Sequence, residues 1–108
     1  MDPTDSGFIP IAHIDSLAAG SCRSIEVRGR RLLLANVEGR FHAVDDTCPH
    51  RGASLGSGFL QGCEVFCPLH GWSFDVTTGA GQTRPDKPLR SYSTLVRDGQ
   101  VWVAMEAA

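Results

Sequence analysis

Two short stretches carry the residues best suited to chemistry: Cys48-Pro49-His50-Arg51-Gly52 and Cys67-Pro68-Leu69-His70-Gly71-Trp72. Taken as ligands they run C-x-H, sixteen residues, then C-x2-H. Two thiols and two imidazoles on Gly-bounded loops can converge on one metal centre if flanking strands hold the loops side by side. Thiolate selects zinc or iron-sulfur chemistry, and imidazole suits both. A structural zinc ion is grasped by pairs spaced C-x2-4-C or H-x3-5-H, and C-x-H is cramped for that purpose. With two irons in the centre, one loop can give its Cys to one iron and its His to the other, so close spacing becomes an asset. The spacing favours a diiron cluster, with a zinc staple on the same four side chains as the alternative.

The segment resembles the Rieske [2Fe-2S] signature, including the "CPLHGW" run and the Phe74-Asp75 and Thr78-Gly79 continuation. "FHAVDDTCPH" and "RDGQVWV" are similar to the strands that frame the cluster in Rieske-type ferredoxins. The resemblance implies an all-β fold of three stacked antiparallel sheets with two cluster-binding loops, about 46–57 and 65–75. It implies one [2Fe-2S] cluster, with Cys48 and Cys67 on the inner iron and His50 and His70 on the outer. The chain looks like the ferredoxin component of bacterial ring-hydroxylating oxygenase systems. Such a component is not itself an enzyme: it meets a flavin-dependent ferredoxin reductase and a terminal non-haem iron oxygenase transiently. The small Rieske subunit of an NAD(P)H-dependent nitrite reductase is the alternative.

One departure bears on the potential. Respiratory Rieske proteins carry an extra Cys in each loop and a Ser and a Tyr whose hydroxyls bond the cluster. Here Leu69, Trp72 and Phe74 stand where the second loop's Cys, the Ser and the Tyr would be. Without those donors the reduced cluster is less stabilised, which predicts a potential near the low end of the Rieske range of about −150 to +300 mV. Gly52 and Gly71 are expected to let backbone amides approach the sulfides. The polar, proline-containing run Gln82–Pro88 is expected to close over the cluster.

The elements that must position these loops read as short strands. Apolar or alternating runs cover Phe8 to Ile11, Ser24 to Val27, Arg31 to Asn36, Arg40 to Val44, Glu64 to Cys67, Trp72 to Asp75, Arg90 to Arg97 and Gln100 to Ala104. Arg28-Gly29, Glu38-Gly39 and Asp98-Gly99 predict three hairpin turns. One helical turn is expected at Asp15 to Ala19, before Gly20.

With 108 residues, 12 Gly and 6 Pro, the chain suits a single domain over 1–108 with many turns. Ten Lys+Arg against 12 Asp+Glu give a formal charge of -2, so a nucleic-acid binder's electrostatic footprint is missing. The N-terminal residues Met1 to Gly7 contain no apolar signal core, and no run is long enough to span a membrane. A cytoplasmic monomer is expected. Cys22 and Cys63 fit buried free thiols and His13 and His42 exposed positions, while Trp72 is read either as packed under its loop or as an exposed indole on a docking surface. Arg51 is read equally as a solvated loop residue or a contact for an acidic partner. Arg23, Arg28, Arg30 and Arg31 read as a solvated edge around a turn.

Overall fold

The computed structural model describes residues 7–49, 52–69, 71–83 and 86–104. The order is β1 (Phe8–His13), β2 (Cys22–Val27), β3 (Arg30–Val37), β4 (Arg40–Asp45), β5 (Phe59–Gln61), β6 (Glu64–Phe66), β7 (Ser73–Asp75), β8 (Ser91–Tyr92), β9 (Thr94–Arg97) and β10 (Gln100–Ala104). They form three antiparallel sheets, ordered β1-β10-β9, β2-β3-β4-β8 and β5-β6-β7. The all-β expectation holds.

The three expected hairpin turns are present, and each holds both central residues at positive φ: Arg28 and Gly29, Glu38 and Gly39, Asp98 and Gly99. Two such residues in a row match the twist of the flanking strands. The single helical turn is a 3-10 turn at Ile14–Ser16, one residue earlier than the sequence implied. The His13 imidazole Nδ1 sets its start by accepting the Asp15 N–H at 3.2 Å. Leu17 then leaves the helix to enter the core.

Strand β3 explains how the frame meets the site. Leu32 to Ala35 are fully buried, although a period-2 strand with one wet face would expose every second residue. Leu33 and Ala35 pack with Val44, Leu55, Val65, Phe74 and Val76, toward the β5-β6-β7 sheet. Leu32 packs with Tyr92 and Val103, and Leu34 with Leu17, Phe41 and Val101, toward the β1-β10-β9 sheet. Each of these leucines contributes roughly 1.5–3 kcal/mol of burial, and together they join both outer sheets to the middle one.

Two expectations change. The run Arg90 to Arg97 is two strands in different sheets: Tyr92 pairs with Ala43, whereas Thr94 pairs with Val103. The chain crosses at Ser93, and the Thr94 hydroxyl donates to the Phe41 carbonyl at 2.7 Å across the seam. The sequence reading also omitted β5, whose Phe59 pairs with Phe66 of β6, and the 3-10 turn Leu55–Ser57. Everything from Asp46 to Arg90 is an excursion from the middle sheet. It leaves after Asp45 and returns at Arg90, whose carbonyl accepts the Asp45 N–H at 2.9 Å.

Candidate metal centre

The first loop leaves β4 as a ladder. Leu55 N–H donates to the Asp46 carbonyl at 2.7 Å and Cys48 N–H to the Ala53 carbonyl at 2.8 Å, with Thr47 and Ser54 paired between them. Along this extended run Asp46 and Cys48 are buried and Thr47 is exposed, the alternation of a strand. The second loop joins β6 to β7, with Phe66 opposite Ser73 at its base.

The two loops share one frame. In each, the Cys N–H donates to the carbonyl five residues on, Cys48 to Ala53 at 2.8 Å and Cys67 to Trp72 at 2.7 Å. In each, the Cys carbonyl accepts from the Gly four residues on, Gly52 at 2.8 Å and Gly71 at 3.2 Å. These glycines sit at φ 73° and 71°, which a side chain rarely adopts, and a Cβ at either would meet nothing within 4 Å. The backbone angle that closes the turn is by itself a reason for glycine at both positions. Within this common frame the sequence places His at the third position of one loop and the fourth of the other, which accounts for C-x-H beside C-x2-H.

Cys48 is 0% and Cys67 3% exposed, and both lie in one packed core with Leu55, Val65, Phe74, Val76 and Leu89. The loop tips face outward: Pro49, Gly52, Pro68 and Gly71 are exposed, and Leu69 is 56% exposed. The structure thus brings the two predicted cysteines into one interior from two loops. His50, His70 and Arg51 lie outside the described residues. No disulfide joins any two of the four cysteines. Two buried, soft donors on matched loops fit the sulfur side of an iron-sulfur centre.

Around them, Trp72 packs half-buried against the same core, as the packed reading had it. Phe74 is fully buried and brings no hydroxyl. The segment after β7 is tied back to it: Gln82 N–H donates to the Ser73 carbonyl at 2.9 Å, and Ser73 N–H to the Thr83 hydroxyl at 3.1 Å. Arg84 and Pro85 of that run lie outside the described residues. Cys22 and Cys63 are half-buried rather than fully buried. Burial first, and then the nearby Asp46 carboxylate, push the Cys22 thiol above its ordinary value. His13 is exposed as expected, but His42 is half-buried.

Sequence reasoning missed Asp46. Its side chain is 1% exposed and accepts three hydrogen bonds: Ser24 Oγ at 2.8 Å, Ser54 Oγ at 2.6 Å and Gly56 N–H at 2.8 Å. In the sequence, Asp45-Asp46 before Thr47 reads as ordinary loop polarity. The usable signal was the strand alternation toward Cys48. Nearby, Arg30 donates to the Tyr92 hydroxyl at 3.1 Å, and that hydroxyl to Asp45 at 2.6 Å. Arg30 is exposed, as the solvated-edge reading had it, and its guanidinium also joins this network.

A Rieske [2Fe-2S] domain model matches residues 7–93, so the chain belongs to the Rieske family and its fold carries an iron-sulfur cluster. The particular relatives are carriers. The chain is 35% identical over 100 residues to the ferredoxin component of the naphthalene 1,2-dioxygenase/salicylate 5-hydroxylase systems of a Ralstonia species, covering 92% of this chain and 96% of the relative. The ferredoxin of carbazole 1,9a-dioxygenase from Nocardioides aromaticivorans superposes with a TM-score of 0.87 at 29% identity, covering 94% and 100% of the two chains. A chain from the complex of reduced oxygenase and oxidized ferredoxin in carbazole 1,9a-dioxygenase also gives 0.87, at 31% identity over 95% and 97%. Among the described residues no helix is long and apolar enough to cross a membrane.

Proposed function

We propose that this chain, as one Rieske domain, is a one-electron carrier that takes electrons from a flavin-dependent ferredoxin reductase and passes them to a terminal non-haem iron oxygenase. The observation that carries this reading is the end-to-end likeness to ferredoxin components, joined to two buried thiols on matched loops. The same likeness favours an oxygenase system over a nitrite reductase subunit.

In this reading Cys48 and Cys67 hold a single [2Fe-2S] cluster from the core side, and His50 and His70 hold it from the loop tips. Bound there, the cluster supplies reversible storage of one electron and offers no open coordination site for substrate. The chain's own residues do the rest. Leu55, Val65 and Phe74 keep water from the cysteine side. The exposed positions beside the two histidines, Pro49, Gly52, Leu69 and Gly71, leave that edge accessible to a partner. Contacts of this kind are small and transient, which suits a cytoplasmic monomer that shuttles between two proteins.

The test is an EPR spectrum of the dithionite-reduced protein prepared without air, with iron counted on the same sample. Two irons per chain and an average g below that of an all-Cys cluster are expected. EPR silence with zinc in place of iron would overturn the redox function and leave a structural staple.

A further inference from the structure

We propose that Asp46 is a positioning residue for the first ligand loop, and that its buried charge holds the reduction potential of the centre down. The inference rests on the reading that Cys48 is a ligand.

The position is built on three sides. Ser24 belongs to β2, Ser54 to the returning arm of the loop, and Gly56 to the 3-10 turn beyond it, and all three donate to the one carboxylate. Asp46 thereby fastens both arms of the loop to the middle sheet. The fit is close as well: a Cβ at Gly56 would lie 2.1 Å from Ser24 Oγ and 2.7 Å from the Ser24 N. Asp46 and Cys48 are two residues apart on an extended run and face the same interior, so carboxylate and sulfur are within about 10 Å. The facing cation is Arg31, whose Nε is 3.9 Å from Oδ2 and whose side chain is 60% exposed, so it offsets the buried charge only in part.

The hydroxyl geometry allows charge to be separated from shape. Ser24 Oγ and Ser54 Oγ are 2.9 Å apart, and with the carboxylate they form a closed triangle. In Asp46→Asn the new Nδ2 can donate to Ser54 Oγ, whose proton turns to Ser24 Oγ, whose proton stays on Oδ1. The three donors keep acceptors and the charge is gone, while the second Nδ2 proton has no named acceptor and the Arg31 Nε loses the oxygen it faced. Ser54→Ala does the reverse: it keeps the charge and removes one of its donors.

The experiment is a spectroelectrochemical titration of the cluster-loaded full chain as wild type, Asp46→Asn and Ser54→Ala, with melting temperatures on the same samples. Asp46→Asn is expected to raise the reduced-to-oxidised ratio at a given solution potential about tenfold, an upward shift of about 59 mV for one electron. Ser54→Ala is expected to move the potential the other way, because the charge is less compensated. Opposite shifts support the inference; loosening of the loop alone would move both variants in one direction. An unchanged Asp46→Asn potential, or shifts of the same sign, overturns it. If Asp46→Asn retains no iron, the sign of the Ser54→Ala shift decides: downward supports, unchanged or upward overturns. A wild-type chain without a Rieske signal removes the proposed function itself, which the variants do not probe.

Discussion

Gly58 offers the sharpest test of how the two ligand loops are coupled. It ends the 3-10 turn after the first loop, and a Cβ there would lie 1.9 Å from the Phe66 carbonyl oxygen and 3.3 Å from the Leu55 carbonyl oxygen. Ordinary contact begins at 3.4 Å, so the Phe66 carbonyl must retreat by about 1.5 Å. Neither neighbour is a side chain that can rotate away. The Phe66 carbonyl shares a rigid peptide plane with the Cys67 nitrogen, so its retreat drags the 2.7 Å bond from Cys67 N–H to Trp72 that closes the second loop. Overpacking of this kind costs about 1–3 kcal/mol. Reduced chain entropy in the unfolded state brings no offsetting gain, since φ −88° with ψ −144° at Gly58 lies outside the helical and extended regions open to alanine. The loss for Gly58→Ala is about 1–3 kcal/mol, or a melting temperature roughly 5–20 °C lower for a chain of this size. Thermal unfolding followed by far-UV circular dichroism, with iron assayed in parallel, measures both effects. A variant that melts with wild type and retains all its iron would refute the claim that the two loops meet at this contact.

Other outcomes follow from the site and its frame. Cys48→Ser or Cys67→Ser should abolish iron retention, whereas His50→Cys or His70→Cys should keep the cluster and lower its potential, as measured by voltammetry. Tyr92→Phe removes the hydroxyl between Arg30 and Asp45 and should cost about 1–2 kcal/mol in a urea titration with an unchanged slope. Burial holds the His42 imidazole below its ordinary 6.5, with Asp75 opposing and Arg40 assisting. The unfolded chain therefore binds the proton first, and stability should fall as pH drops from 6.5 through the lower folded value. His42→Gln should flatten that part of a melting-temperature profile against pH.

Much of this was legible because the informative residues act locally. Arg28-Gly29, Glu38-Gly39 and Asp98-Gly99 announce their turns through backbone demands that no distant contact overrides. The Cys and Gly of each ligand loop are likewise bound by a turn that closes on itself. What was lost depends on tertiary partners. The three residues of β5 are too short to show a period, and become a strand because Phe66 lies opposite Phe59, whose rings stack at 4.9 Å. The apolar alternation of 90–97 continues across Ser93 while the chain changes sheets, so pattern alone shows no break. Asp46 carries no local signal of its role, because the hydroxyl that bonds it belongs to Ser24, 22 residues earlier.

The closed neck of the excursion has a consequence for how this molecule comes apart. The segment carrying both ligand loops departs and rejoins beside itself, at the bond from Asp45 to Arg90, with Val44 opposite Ser91. A segment pinned at both ends can open as a cooperative unit while the remaining strands keep their own ladders. Those ladders, β2 to β3 to β4 and β1 to β10 to β9, contain none of its residues. The same neck makes the segment a cassette. Exchanged between related carriers at Asp45 and Arg90, it has to match the host at Leu33, Ala35 and Val44, where the shared core passes through.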